Sequence, residues 1–149
     1  MVKFAYKMQN ILDIKSKLEG QARSSFSAAA AKLNTEEEKL KALRRRKASY
    51  EHRAKELVMD RLDVQEIKVN RTAIDTMKGA IRNQAVAVHV AERNVETARK
   101  RLQEVMVERK THEILKEKAF EGFKKELIKE ESKEVDELVS FTHSQLEEE

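Results

Sequence analysis

LVMDRLDVQEI, residues 57–67, breaks the rhythm of a chain that otherwise repeats apolar residues every three or four positions. Asp63 is a favoured N-cap residue, and Glu66 stands three positions later, the spacing of a capping box. Such a box satisfies backbone N–H groups that a helix start leaves without partners. Leu62 and Ile67 are placed as the apolar staple that accompanies a box. A helix beginning at Asp63 requires the preceding one to have ended near Asp60, so the stretch reads as a turn. Because it contains neither Gly nor Pro, the other reading is one unbroken helix that stumbles here.

Working outward, the first tract sets Phe4, Met8, Ile11, Leu18, Ala22 and Phe26 on one stripe, continued by Ala29, Leu33, Leu40, Leu43, Tyr50, Ala54 and Leu57. The steps average close to 3.5 residues, the coiled-coil period. Two successive steps of four, Leu18 to Ala22 to Phe26, make a stutter that locally unwinds a supercoil. Lys15, Glu36 and Lys47 fall on seam positions, where polar residues cost stability but fix register. The second tract runs from Ile67 through Ile74, Met77, Ile81, Gln84, Val88 and Ala91 to Val105, then resumes at Leu115, Ala119, Phe123 and Leu127. The expected fold is all-α: a long antiparallel two-helix coiled-coil hairpin forming one domain over 1–149. Its elements are helix 1 over about 2–60, a turn over about 60–63, helix 2 over about 64–142 and a frayed acidic tail over 143–149.

A turn at 61–62 sets residue i opposite roughly residue 123 minus i, which pairs Leu43 with Ala80 or Ile81, Leu18 with Val105, and Phe4 with Ala119. The first arm runs out near Phe123. The rest of the second arm becomes a helical overhang bearing Leu127, Val135, Leu138 and Phe141, about 25–30 Å long at 1.5 Å per residue. An apolar stripe with no internal partner calls for an external one.

Composition agrees with long helices. Of 149 residues, 39% are charged and 5% aromatic, with three Gly, no Pro and no Cys. Missing cysteine excludes disulfides and thiolate metal sites. No signal-peptide or membrane-spanning run is present, so a cytoplasmic protein without direct membrane insertion is expected. Residues 126–149 hold nine acidic and two basic side chains, so with a net charge of +4 the remainder carries +11. A basic shaft with an acidic end prefers different partners at its two ends.

No catalytic constellation, metal site or cofactor motif is found. His52, His89, His112 and His143 are too dispersed for a metal pair, and His112, near the seam, is expected to bond a facing side chain. Gly20, Gly79 and Gly122 stand alone in helical pattern; close helix approach is the expected reason, a binding groove the other. The basic run Arg44–Lys47 points all round a helix and lacks aromatics for base stacking, which argues against nucleic acid. A thin two-helix rod offers no substrate pocket, so the chain is not expected to be an enzyme.

Two segments carry a resemblance. FAYKMQNILDIKSKLEGQA, residues 4–22, resembles the opening of the FliJ family of flagellar export proteins through Phe4, Met8, Gln9, Leu12, Lys15, Glu19 and Gln21. VERKTHEILKEKAFEGFKKELIKEESKEVDEL, residues 107–138, is similar to that family's second signature. The resemblance implies a coiled-coil hairpin like the central stalk of rotary ATPases. In that family the end bearing both termini enters the pore of a hexameric export ATPase (FliI-like), and the middle of the hairpin contacts an export gate protein (FlhA-like). Some members also escort export chaperones. For this chain it implies ATPase-ring contacts at Phe4, Met8, Phe123, Leu127, Val135 and Leu138. It implies gate contacts at Leu43, Arg46, Tyr50, Ala73, Met77, Ala80 and Gln84. Better-known members place larger aromatics where this chain has Arg46 and Ala73. The function so implied is a non-catalytic coupling component of flagellar protein export, cytoplasmic and peripheral to the inner face of the membrane. The stalk of a virulence secretion system is a near neighbour of this reading. A self-associating scaffold, with Ala22, Ala29, Ala91 and Ala98 admitting further helices, is an alternative, as is a basic coiled coil that binds nucleic acid.

Overall fold

The computed structural model describes residues 2–148. It is all-α, with α1 over Gln9–Leu57, α2 over Val64–Glu147 and no strand among the described residues. The chain turns between them. Asp63 Oδ1 accepts hydrogen bonds from the backbone N–H of Gln65 at 3.0 Å and of Glu66 at 3.2 Å, the N-cap that starts α2. The other half of the capping box does not form. Glu66 instead accepts a hydrogen bond from Arg53 Nη2 at 2.7 Å, tying the start of α2 to the end of α1. Nor is there a staple, because Leu62 stays exposed. Asp63→Ala is therefore expected to cost about 1 kcal/mol, read as a lower denaturant midpoint. Leu62→Ala should leave that midpoint unchanged.

The first helix is shorter than the sequence predicts. It starts at Gln9 instead of about residue 2 and ends at Leu57 instead of about 60. No Ser, Thr, Asp or Asn precedes it to serve as a cap, and no acidic residue lies in its first turn. Residues 2–6 are non-helical and lead into a turn at Lys7 and Met8, with the Gln9 N–H donating to the Tyr6 carbonyl at 3.1 Å. At the other end α2 continues through Glu147, beyond the expected end near 142. No breaker follows Phe141, and Gln145, Leu146 and Glu147 all favour helix. Residue 149 of the expected frayed tail lies outside the described residues.

Contacts divide the chain into two compact units. In the unit over Gly20–Gln103 the helices pair antiparallel through two polar layers. Asn70 Nδ2 donates to the Tyr50 carbonyl at 3.1 Å, and Gln84 Nε2 donates to the Glu36 carbonyl at 2.9 Å. Both pairs have residue numbers adding to 120, three less than expected, because the turn lies nearer residue 60. Ala22, Leu40, Leu57, Met77, Val88 and Ala91 are buried along this seam.

The second unit joins the residues up to Glu19 with those from Glu104 onward. Val105 is its most buried side chain, at 1% exposure. Lys15 Nζ meets Glu108 Oε2 at 3.0 Å, in the expected register, and Glu19 pairs with Arg109. The inward residue near the start of α1 is Leu12, not Ile11, which is exposed. One position is 100° of helix rotation, so the phase set by Lys15 and Glu19 decides between the two.

Close approach does not explain the glycines. A Cβ at Gly20 or Gly122 would meet nothing within 4 Å, and one at Gly79 only the Arg82 side chain at 3.8 Å. The Gly20→Ala and Gly122→Ala variants should each gain stability, by about 0.8–1 kcal/mol, measurable as a higher unfolding midpoint.

Candidate docking sites

The extended N-terminal segment delivers Phe4 to α2. Its ring lies 5.1 Å from that of Phe120 and 5.5 Å from that of Phe123, and those two rings are 6.5 Å apart. Lys124 Nζ caps the group 4.6 Å above the Phe120 ring. Aromatic packing of this kind outweighs the propensity of residues 2–8 to continue the helix. Phe4 and Phe123, both expected at the terminal site, thus come together, with Leu127 half-buried just beyond and Met8 exposed. Val135 and Leu138 do not join them. Every described residue after Leu127 is exposed, with Val135 at 57% and Leu138 at 65%. At 1.5 Å per residue, Val135 lies about 18 Å along α2 from Phe123.

Phe120 also belongs to the ring cluster, although the periodicity leaves it off the stripe. The available signal was its spacing of three from Phe123, hidden by the run of fours through Leu115, Ala119 and Phe123. His112 also departs from expectation. Its Nδ1 is buried with no hydrogen-bond partner, as is the Tyr6 hydroxyl. The inward residue of α1 nearby is Leu12, which offers no polar group.

In the unit over Gly20–Gln103, the candidate gate residues fall into three groups. Met77 is buried at 8% exposure, and Gln84 is committed to Glu36. Leu43, Tyr50, Ala73 and Ala80 are half-buried along the seam, while Arg46 is exposed with its neighbours Arg44 and Arg45. Glu36 is a buried carboxylate between Lys32 Nζ at 2.8 Å and Lys39 Nζ at 3.5 Å, and it accepts from Gln84 Nε2 at 2.5 Å. The hydrogen bonds from Lys32 and then Gln84 hold its pKa down to about 2, from an ordinary 4.5. A depressed folded-state pKa adds stability above the unfolded value and loses it as pH falls. The stability difference between the native chain and Glu36→Gln should therefore be full at neutral pH and fade between about 4.5 and about 2. Urea unfolding at a series of pH values checks this; a difference that does not change with pH would remove the ionised carboxylate from the account.

Among the described residues, no group of three or more His, Asp or Glu could hold a metal ion, and no helix is long and apolar enough to cross a membrane.

The profile of the FliJ family, described as flagellar FliJ protein, matches residues 4–148, nearly the whole chain. The chain belongs to the FliJ family. Its helical hairpin matches a solved structure from Chlamydia trachomatis, of a chain assigned as a YscO homolog, with a TM-score of 0.80. The match covers 99% of both chains at 20% identity, which makes it a likeness of fold. A search of curated protein sequences finds no match. Membership makes this FliJ-family chain a component of flagellar, type III protein export, in a family whose members are non-enzymatic.

Proposed function

We propose that this FliJ-family chain is the stalk of a hexameric export ATPase (FliI-like) and links that ring to the export gate protein (FlhA-like). The observation that carries the proposal is the C-terminal part of α2. Past the Phe4–Phe120–Phe123 cluster it is a helix with Ile128, Val135, Leu138, Val139 and Phe141 all exposed. On the same segment stand Glu130, Glu131, Glu134, Asp136 and Glu137. A helix end on which exposed apolar residues alternate with carboxylates calls for a narrow partner whose walls offer both apolar and basic groups, which a ring pore provides. Phe4, Met8, Phe123 and Leu127 would sit at the entrance, with Val135 and Leu138 deeper. A single asymmetric helix inside six equivalent subunits touches them unequally, so it biases their nucleotide states and promotes ring assembly without chemistry of its own.

The gate contact is assigned to Leu43, Arg46, Tyr50, Ala73 and Ala80, whose side chains retain exposure. Met77 and Gln84 would support that face from within. Export chaperones are further candidate partners, and the site of action is the cytoplasmic face of the membrane, reached through the export apparatus. The scaffold alternative draws no support from Ala22 and Ala91, which are buried and not open to further helices.

Pull-down of the hexameric export ATPase by this chain, with ATPase rates measured with and without it, tests the reading. Capture and a raised rate are expected. The absence of both capture and a rate change would refute the stalk.

A further inference from the structure

Ahead of α1 the chain stretches out along α2 instead of continuing as helix. Exposure alternates there, with Phe4 and Tyr6 half-buried and Lys3, Ala5 and Lys7 exposed, the period of two of an extended segment. Lys15 and Glu108 set the register of this unit, and on it Gln9, the first residue of α1, faces about residue 114. Phe4 nevertheless packs on Phe120 and Phe123. The stretch from Gln9 back to Phe4 covers up to about 16 Å when extended, against about 7.5 Å as a helix. From residue 114 to Phe123, α2 rises about 14 Å, so the extended form is the one that brings Phe4 to Phe123.

Two properties of α2 change just beyond that contact. Up to Phe123 a second stretch of chain lies against the helix, whereas every described residue after Leu127 is exposed. The remainder is a lone helix about 10–12 Å across. The charge reverses in the same place. On the extended segment and on α2 within two turns of the rings, Lys3, Lys7, Lys116, Lys118, Lys124 and Lys125 stand against Glu117 and Glu121. Residues 126–149 hold nine acidic and two basic side chains. A thick, basic stem thus gives way to a thin, acidic helix within about one turn. A bore that closes around the lone helix at interface packing density has no room for the same helix with Phe4 and its segment laid on it.

We infer that residues 2–8, pinned by Phe4, form a collar that stops α2 at about Phe123 as it enters the ATPase ring, with the collar's lysines meeting a rim that bears carboxylates. The inference rests on the ring-docking reading and deepens it: that reading assigns what enters, and the collar assigns how far.

The test places a photo-reactive amino acid at Lys118, Ile128 or Leu138 of the full chain and irradiates each with the assembled export ATPase. With the collar intact, Ile128 and Leu138 should join the pore-lining segment and Lys118 should not. Phe4→Gly removes the ring and disfavours a helix in place of the extended segment, so the stop should retreat to the start of α1. Entry should then deepen by about 14 Å, and Lys118 should join the pore lining as well. Ala5→Gly, on the exposed side of the segment, should leave the native pattern. Helix content by circular dichroism should be unchanged in both, since Phe4 and Ala5 lie outside α1 and α2. A Lys118→Glu/Lys125→Glu variant reads the rim separately, and its association with the ring should slow by about fivefold or more. Two results overturn the collar and leave the stalk standing: Lys118 joining the pore lining in the native chain, or a Phe4→Gly pattern identical to the native one with Leu138 still cross-linked. Failure of Leu138 to join the ring at all overturns the stalk reading and the collar with it. An unchanged association rate in the double variant overturns the carboxylate-bearing rim.

Discussion

Val105→Asp is expected to unzip the terminal unit and to lower stability by about 3–5 kcal/mol, the cost of an uncompensated charge in a buried position. Val105 is 1% exposed, more deeply enclosed than any other side chain described. Its nearest charged neighbours one turn away on α2, Glu104 to Arg109, are already engaged in ion pairs or hydrogen bonds. A new carboxylate there gains no partner and loses its water. Val105→Ala, which removes two carbon atoms without adding charge, should cost about 1.5–2 kcal/mol. Urea unfolding followed by far-ultraviolet circular dichroism compares them. If Val105→Asp unfolded no earlier than Val105→Ala, the burial of this position, and with it the packing of the terminal unit, would be misjudged.

The second large effect is functional and leaves stability alone. Val135 and Leu138 are exposed and lie three apart on one face of α2. Replacing both with Asp removes the apolar contacts proposed to seat in the ATPase ring and adds charge where the pore wall would be apolar. At about 1 kcal/mol for each truncated apolar contact, the pair contributes about 2 kcal/mol, so ring affinity should fall by a factor of roughly thirty. Stimulation of ATPase activity should be lost at concentrations where the native chain saturates. The unfolding midpoint should move by no more than about 0.5 kcal/mol, as for other surface changes. A control pair at Val86 and Val90, exposed on α2 within the other unit, should leave ring binding intact.

Much of the architecture could be read from local chemistry. Asp63 announced the start of α2 because a cap is a local device: its carboxylate needs only the next few N–H groups. The antiparallel pairing followed, since two arms joined by a short turn must run alongside each other, but its register in the unit over Gly20–Gln103 is three residues off because the turn lies nearer residue 60. The exposed, acidic continuation of α2 was legible for the same reason, from arms of unequal length. What escaped depends on contacts between distant residues. Periodicity cannot choose between Ile11 and Leu12, which are adjacent and equally apolar; the seam positions of Lys15 and Glu19 decide it. The late start of α1 comes from Phe4 packing on Phe120 and Phe123, more than a hundred residues away. Glu66 left the capping box for Arg53 because the turn brings that guanidinium within 2.7 Å. Among the candidate gate residues, only the paired helices reveal that Gln84 is taken up by Glu36.

A photo-reactive amino acid in place of Leu138 tests the central claim most directly, in a mixture of the full chain with the assembled export ATPase. Irradiation is expected to join the chain to the pore-lining segment of the ring, one chain per ring. Cross-links confined to the chain's own residues 9–57, or none to the ATPase, would contradict it.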